Sequence, residues 1–286
     1  MVWSPQQCEL GEGARWVDDR LVLVDILAGR LLQAPGDKPG ALREIARLAV
    51  PLGAVAPVAG TPGTWVAAAG TGIAYLLPSG RLEWLDRPED SNAVPTRMND
   101  GAADPAGRFW AGSMAYDATP GAGSLYRAAP NGDVTRVLDG MTIPNGPAFS
   151  PDARTMYLAD SARGHVDCYP VDPLTGTLGT PAPFLRLDLA TGTPDGMTVD
   201  NDDHLWIAIW GRGEVRRYRP DGTLDLTVPL PARQPTSVCL GGPGGRRLFI
   251  TTAAYRLTPA SLADGALLAV DVPATASPAH PFTPRP

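Results

Sequence analysis

The chain has 286 residues, of which 44% are hydrophobic and 19% charged, a composition typical of globular proteins with a large core. The formal net charge of −6 and the lack of any basic run argue against a nucleic-acid partner. The three cysteines, Cys8, Cys168 and Cys239, form no CxxC pair, so we expect reduced, packed thiols rather than disulfides or a zinc knuckle.

The N-terminal segment, MVWSPQQCELGEG, has neither a basic start nor a long apolar stretch, so we expect no signal peptide and a cytoplasmic protein. No apolar stretch reaches the roughly 18 residues of a membrane span, so no membrane association is expected. Short apolar runs then follow along the chain, each rich in aromatic and β-branched residues and bounded by turn residues, which predicts strands. They cover residues 21–24, 64–68, 108–111, 155–159, 204–208 and 247–251. Residues 255–265 are predicted to form the only helical turn of note.

The strand pattern repeats along the chain. Each unit has a short strand, a turn, a run with a large apolar residue, and a second hairpin. Units of about 40–50 residues with four strands are typical of propeller blades. We therefore predict an all-β, six-bladed β-propeller with four antiparallel strands per blade and a single domain over residues 1–286; a large β-sandwich or two small β domains is the alternative. The repeated apolar positions are Leu23, Trp65, Phe109, Tyr157, Trp206 and Phe249.

The first strand of each blade lines the channel of a propeller, so equivalent residues at its start should converge at one mouth. Four of the six positions carry a carboxylate or a carboxamide. Buried carboxylates would repel one another without a cation between them, and their hard oxygens favour Ca²⁺, Mg²⁺ or Mn²⁺, although such a set also admits Zn²⁺ or Fe²⁺. Taken alone, the PNG and PDG segments are also ordinary turn sequences. The six positions are Glu12, Ala54, Asn99, Asn145, Asp195 and Ser237.

Five segments resemble, in order and spacing, the family of senescence marker protein (regucalcin), gluconolactonase and luciferin-regenerating enzyme. They are LGEGARW, TRMNDGAADPAGRFWAGSM, IPNGPAFSPD, PDGMTVDNDDHLWIAIWG and CLGGPGGRRLFITTA, and the match runs from about residue 8 to residue 272. The resemblance implies a six-bladed propeller with one divalent metal near the channel mouth. It makes Glu12, Asn145 and Asp195 metal ligands, and it makes Arg97 and Asn99 contacts to the substrate.

The sequence departs from this family in two places that border the pocket. Where the sugar-lactone-hydrolysing animal members carry two glutamates, one of which contacts the sugar, this chain has GSMAYDATPGAG. Tyr116 and Asp117 stand there and would tune specificity. The C-terminal segment is also shortened. The metal and the type of reaction are therefore better supported than the sugar.

The preferred hypothesis is metal-dependent hydrolysis of a small-molecule lactone, with a sugar (aldono) lactone as the first choice. The metal, with Ca²⁺ favoured, would polarise the ring carbonyl, and Asp195 is the candidate base because it can contact both the metal and a proton. One rival is hydrolysis of another cyclic ester or an organophosphate on the same metal. Another is a non-catalytic propeller that binds a metal or ligand. We expect a monomer or a weak homodimer.

Overall fold

The computed structural model describes residues 1–276 and 278–285. It contains six antiparallel sheets of four strands, which confirms the predicted six-bladed β-propeller. The first strand, β1 (Val2–Ser4), belongs to the sixth sheet, and the other five sheets follow chain order.

The strands of the first three blades are as follows. Blade 1 comprises β2 (Gly11–Val17), β3 (Arg20–Asp25), β4 (Arg30–Ala34) and β5 (Arg43–Arg47). Blade 2 comprises β6 (Leu52–Pro57), β7 (Trp65–Ala69), β8 (Gly72–Leu76) and β9 (Leu82–Asp86). Blade 3 comprises β10 (Thr96–Ala103), β11 (Phe109–Ala115), β12 (Gly123–Ala128) and β13 (Val134–Met141).

The remaining blades continue the pattern. Blade 4 comprises β14 (Pro144–Phe149), β15 (Thr155–Asp160), β16 (His165–Pro170) and β17 (Ala182–Arg186). Blade 5 comprises β18 (Thr193–Val199), β19 (Leu205–Trp210), β20 (Glu214–Tyr218) and β21 (Leu224–Pro229). Blade 6 comprises β22 (Pro235–Gly241), β23 (Arg247–Thr252), β24 (Leu267–Asp271) and β1.

The ring closes by strand exchange between the two ends of the chain. Three strands of blade 6, β22, β23 and β24, come from the C-terminal part of the chain. The N-terminal strand β1 pairs with β24 as the fourth, with Val2 opposite Leu268. The repeat pattern did not reveal this pairing, because β1 has only three residues. Closure fixes blade 6 against blade 1, where the ring of Trp16 stacks on Phe249 at a centroid distance of 5.7 Å.

The core lies between neighbouring sheets and is built from the repeated apolar positions. All six predicted runs form the second strands of the blades, β3, β7, β11, β15, β19 and β23. Phe109, Trp206 and Phe249 are fully buried. All three cysteines are free, as expected, and burial raises the pKa of the Cys8 and Cys239 thiols to about 12. Among the described residues, no helix is long and apolar enough to span a membrane.

The prediction of a helical turn at residues 255–265 is wrong. This segment forms turns without a helix, and helical structure in the described ranges is confined to three 3₁₀ turns, Ser161–Arg163, Leu189–Thr191 and Pro243–Gly245. The reason lies in Asp264, whose carboxylate accepts hydrogen bonds from the backbone N–H of Ser261 and from the backbone and guanidinium of Arg233. The local hydrogen bond from Ser261 and the contacts from Arg233, which lies in another loop, stabilise the turns instead of a helix.

The first strand of each blade, which we call the inner strand because it lines the channel, carries a β-bulge near its start. In β10, for example, Met98 lies opposite Ser113 while Gly101 lies opposite Ala111, so β10 has one extra residue. The same irregularity occurs in β2, β6, β14, β18 and β22. A bulge interrupts the alternation of side chains and re-aims them. The six channel positions identified in the sequence lie at or beside these bulges.

Candidate active site

The inner strands meet around the central channel, each in contact with the inner strands of both neighbouring blades. This arrangement brings two distant carboxamides together, as the repeat predicted. Asn99 of blade 3 donates from Nδ2 to Oδ1 of Asn145 in blade 4 at 3.0 Å and to the carbonyl of Pro144 at 2.9 Å. Arg97 donates from Nη1 to Oδ1 of Asn99 at 2.8 Å, so the three side chains form one hydrogen-bonded line.

Ser161 extends this line and was missed in the sequence. Asn145 donates from Nδ2 to the Ser161 hydroxyl at 2.8 Å, and that hydroxyl donates to the carbonyl of Pro194, the residue before Asp195. Ser161 therefore links the inner strands of blades 4 and 5 and fixes which way the Asn145 amide faces. Its position directly after the second strand of blade 4, at the same end of the blade, is the signal that could have identified it.

Two carboxylates face this line from blades 1 and 5. Glu12 is 4% exposed and Asp195 is 7% exposed. Burial and then the nearby charge of Asp100 raise the pKa of Glu12 to about 8, although the Gly13 N–H, which donates to Oε2 at 2.8 Å, acts in the opposite direction. Burial, followed by the charges of Glu12 and Asp100, raises the pKa of Asp195 well above its usual range. These carboxylates therefore share one electrostatic environment that disfavours their negative charge.

Arg97 is buried beside these carboxylates. Burial lowers the pKa of its guanidinium, and the charges of Tyr116, Glu12, Tyr255 and Asp195 oppose this effect. Its hydrogen bonds go to Asn99 and to the Met98 carbonyl, and no carboxylate of the described residues forms a salt bridge with it. Arg97 is therefore a buried cation at the channel mouth, not part of a surface ion pair.

Tyr116 and Asp117, in the loop where the sequence departs from the family, have different surroundings. Tyr116 is 50% exposed and lies within electrostatic reach of Arg97. The exposed Asp117 accepts hydrogen bonds from the hydroxyl of Thr119 at 2.6 Å and from its N–H at 2.9 Å, and these hold the pKa of Asp117 below its usual range. Asp117 thus stabilises its own turn and takes no part in the hydrogen-bonded line.

The last two channel positions, Ala54 and Ser237, are both fully buried. The Ser237 hydroxyl has no hydrogen-bond partner. It lies close to the backbone beside Asp195, because a Cβ on Gly196 would stand 2.8 Å from that oxygen. A glycine is therefore needed at 196 for the two inner strands to approach each other.

The donor set suits a hard divalent cation. It comprises the carboxylates of Glu12 and Asp195 and the amide oxygen of Asn145, all oxygen donors, and the unpartnered hydroxyl of Ser237 lies against the backbone next to Asp195. A cation would also relieve the repulsion that raises the carboxylate pKa values. In the described part of the chain, no three His, Cys, Asp or Glu side chains form a cluster that could hold a metal. Any site here therefore depends on carboxamide or hydroxyl oxygens as well as on carboxylates.

The fold and the site together define a six-bladed propeller with buried oxygen donors and one buried arginine at a channel mouth. A model of the SMP-30/Gluconolactonase/LRE-like region matches residues 10–254. The chain belongs to this family.

Individual relatives agree with this assignment. The chain is 37% identical over 257 residues to the pentonolactonase XacC of Haloferax volcanii, covering 86% of this chain and 82% of the relative. It is 30% identical to human regucalcin, covering 90% and 88% of the two chains. The crystal structure of a calcium-binding protein, regucalcin, from Agrobacterium tumefaciens superposes with a TM-score of 0.89 at 27% identity, over 98% of this chain and 96% of that one.

Proposed function

We propose that this protein is a divalent-metal-dependent lactonase that opens the ring ester of a sugar lactone. The observation that carries the proposal is the channel mouth, where Glu12 and Asp195 lie buried beside the Arg97–Asn99–Asn145 line. Family membership and the relative named as a pentonolactonase support the choice of lactones. A lactone carbonyl needs stabilisation of negative charge during attack by water, and this site concentrates groups that can provide it.

Glu12, Asn145 and Asp195 would hold the cation, with Ca²⁺ favoured and Mg²⁺, Mn²⁺, Zn²⁺ or Fe²⁺ as alternatives. The name of the Agrobacterium relative supports calcium. When bound, such a cation supplies Lewis-acid polarisation of an ester carbonyl oxygen. Proton transfer and orientation of the substrate are assigned to protein side chains.

Asp195 would accept the proton of the attacking water at a carboxylate oxygen. Arg97 and Asn99 would orient the substrate, with the Arg97 guanidinium donating to ring hydroxyls or to the carbonyl oxygen. Arg97 is held by Asn99 at 2.8 Å, and such prior fixing reduces the entropy lost on binding. Burial of these groups keeps bulk water from competing for their hydrogen bonds.

A second candidate is a less polar cyclic ester or an organophosphate on the same site. The observation that favours it is the loop after β11, where Tyr116 is half exposed and Asp117 is engaged by Thr119. The loop thus places an aromatic ring within electrostatic reach of Arg97, and its one carboxylate, Asp117, has Oδ1 occupied by Thr119. On either candidate, Tyr116 would contribute to specificity, and Asp117 would act through Oδ2, because Oδ1 accepts from Thr119.

The test is a lactonase assay on metal-stripped protein with a pH-indicator readout. Ca²⁺, Mg²⁺, Mn²⁺, Zn²⁺ and Fe²⁺ are added back separately, against aldonolactones, simple γ- and δ-lactones, and an organophosphate. We expect metal-dependent turnover of aldonolactones that Asp195→Ala abolishes. Turnover of only the less polar esters or the organophosphate would favour the second candidate. Metal binding without any turnover would instead indicate a non-catalytic binding propeller.

We also propose that the protein is a cytoplasmic monomer or weak homodimer. The support is that its large exposed apolar side chains are scattered over several blades, as with Trp84, Leu174 and Leu262. Isolated apolar residues are ordinary on a monomer surface. Light scattering coupled to size-exclusion chromatography over a concentration series tests the oligomeric state, and a stable assembly at the lowest concentration would contradict it.

A further inference from the structure

Arg15 lies on the inner strand of blade 1, three residues after Glu12. On one side, Arg15 lines a cavity of about 140 Å³ with a mixed polar and apolar lining. C-terminal residues lie across the same end of the ring, where the N–H of Ala279 donates to the Trp16 carbonyl at 2.9 Å. On the other side, the Arg15 guanidinium faces the buried carboxylates. Its side chain is 11% exposed, and it both lines the cavity and contacts Asp100.

The contacts of Arg15 cross from blade 1 to blade 3. Its Nη2 donates to the carbonyl of Gly101 at 2.6 Å and lies 3.5 Å from Oδ1 of Asp100. Its Nη1 donates to the carbonyl of Ala14 at 2.8 Å. Among the residues described, Arg15 is the one cation in a salt bridge with Asp100. An arginine is thus held in place by two carbonyls and directed at one buried carboxylate.

Asp100 connects Arg15 to blade 4 through a hydrogen bond to the backbone. Its Oδ1 accepts from the N–H of Gly101 at 2.7 Å, and its Oδ2 accepts from the N–H of Gly146 at 2.9 Å. Gly146 directly follows Asn145 and has a φ of +85°, so this hydrogen bond holds a backbone conformation that favours glycine. The bulge in β10 makes the arrangement feasible, because the consecutive residues Asn99 and Asp100 both reach β14.

The number of buried carboxylates near the site explains why Arg15 is needed as a cation. Glu12, Asp100 and Asp195 bring three buried carboxylates to one end of the channel. Arg97 directs the hydrogen bonds of its Nη1 to Asn99 and to the Met98 carbonyl, and among the described residues it forms no salt bridge with Asp100. A buried carboxylate without a cation costs several kcal/mol, and breaking such a pair is strongly destabilising locally. Arg15 compensates the carboxylate that binds no substrate and no metal in the proposed mechanism.

We propose that Arg15 is a positioning residue that acts through Asp100 to hold Asn145 in register with Glu12 and Asp195. Arg15 holds the Asp100 carboxylate, and that carboxylate accepts from the Gly146 N–H. The Gly146 backbone in turn sets the position of Asn145, the residue before it. The inference rests on the proposed function for its catalytic consequence. Its consequence for cation binding can be measured independently of turnover.

The experiment compares Arg15→Met with Arg15→Lys and with a matched control, Arg217→Met. Arg217 has the same side-chain exposure, 11%, and forms a salt bridge with buried Asp200 at 2.7 Å in blade 5, away from the site. Metal-stripped full-length protein is titrated with Ca²⁺ by calorimetry and with Mn²⁺ by electron paramagnetic resonance. Thermal unfolding of the same samples reports the fold.

We expect Arg15→Met to weaken cation binding roughly 10- to 100-fold, the usual effect of removing a residue that orients a metal ligand. Arg15→Lys should restore part of this affinity, because it keeps the charge. Arg217→Met should lower the unfolding temperature while leaving the affinity within about twofold, since distant sites are nearly independent. In a double-mutant cycle, Arg15→Met and Asp100→Asn should be strongly non-additive, because they interrupt the same contact.

Wild-type affinity in folded Arg15→Met, or an equal loss in Arg217→Met, would overturn the inference. So would the absence of any cation binding by the wild-type protein. If affinity falls in Arg15→Met but the wild-type protein turns over no lactone, the positioning role stands and the proposed function fails. If turnover is present and Arg15→Met leaves both affinity and kcat unchanged, the function stands and the positioning role fails.

Discussion

Buried carboxylates lie at both ends of the propeller channel, yet their surroundings differ sharply. At the end opposite the site, Asp200 accepts from the N–H groups of Asp202 and His204, from Trp206 Nε1 at 2.8 Å and from Arg217 Nε at 2.8 Å. At the site, the Gly13 N–H donates to Glu12 at 2.8 Å, and the Gly196 N–H supports Asp195.

Asp104 of blade 3 repeats the saturated arrangement. Its carboxylate accepts from the N–H groups of Ala106 and Arg108, from the Arg108 guanidinium at 3.0 Å and from Trp110 Nε1 at 3.0 Å. The segments DPAGRFW and DNDDHLW share this spacing of aspartate and tryptophan. Burial alone therefore does not mark a functional carboxylate. A buried carboxylate with few donors carries an electrostatic cost that a structural role does not explain, and such groups cluster at functional sites.

The largest expected effect concerns the carboxylate with few donors. Asp195→Asn should lower kcat by about 10³-fold, because a positioned base contributes roughly 10²- to 10⁴-fold. The same change removes a charge from a group of like charges, so metal-free protein should unfold at the same or a higher temperature. Steady-state kinetics and calorimetry on one preparation check both. A variant that loses stability along with activity would contradict the contrast between the two ends.

Asp200→Asn should produce the reverse pattern. It removes the charge that pairs with Arg217 and weakens the acceptor of the Trp206 indole, which should cost about 3 kcal/mol of unfolding free energy. Lactonase kcat should change by no more than about twofold, because the site is remote and independent. Urea unfolding and kinetics measure the two quantities. A large fall in kcat in folded protein would mean that the two ends are coupled.

Asp264 distinguishes two explanations, the number of hydrogen-bond donors around a carboxylate and its location in the propeller. It follows β23 at the site end of blade 6, yet its carboxylate accepts several hydrogen bonds. Burial alone would raise its pKa, but hydrogen bonds from Arg233 and Ser261 outweigh this and hold the pKa at about 2. A lowered carboxyl pKa stabilises the fold above the unfolded value near 4, and this contribution is lost as the pH falls towards 2.

Asp264→Asn should therefore destabilise the protein by about 2 kcal/mol at pH 7, and the difference from wild type should shrink between pH 4 and pH 2. Urea unfolding of both proteins across this range measures the difference directly, so other titrating groups cancel. A constant difference would show that the carboxylate charge is not what stabilises the loop. Kinetic constants should stay close to wild type if donor number, not location, distinguishes the functional carboxylates.

The smallest expected effect concerns Ser161. Ser161→Ala leaves the Asn145 amide without its acceptor and should weaken cation binding about 10-fold, the lower range for such orienting contacts. Calorimetric titration of metal-stripped protein measures the affinity. Ser150→Ala is the matched control, because Ser150 lies in the same blade at the opposite turn. An equal loss in both variants would indicate loosening of blade 4 rather than loss of orientation.

The six blades, their second strands and the channel positions from Glu12 to Ser237 could all be predicted from the sequence. These follow from local pattern, because short apolar runs and their turns repeat at a nearly constant interval. The resemblance to the family then assigned roles to Arg97, Asn99, Asn145 and Asp195. The structure brings all four into one buried group.

Other features depend on contacts between residues that are distant in the sequence. The pairing of β1 with β24 joins residues at opposite ends of the chain, and the turns around Asp264 depend on Arg233, 31 residues away. Arg15 reaches Asp100 across 85 residues, and Asp100 can reach β14 only because of a bulge that shifts the register of β10. Such contacts leave no local pattern, because the energy that selects them comes from groups that meet only after the ring has closed.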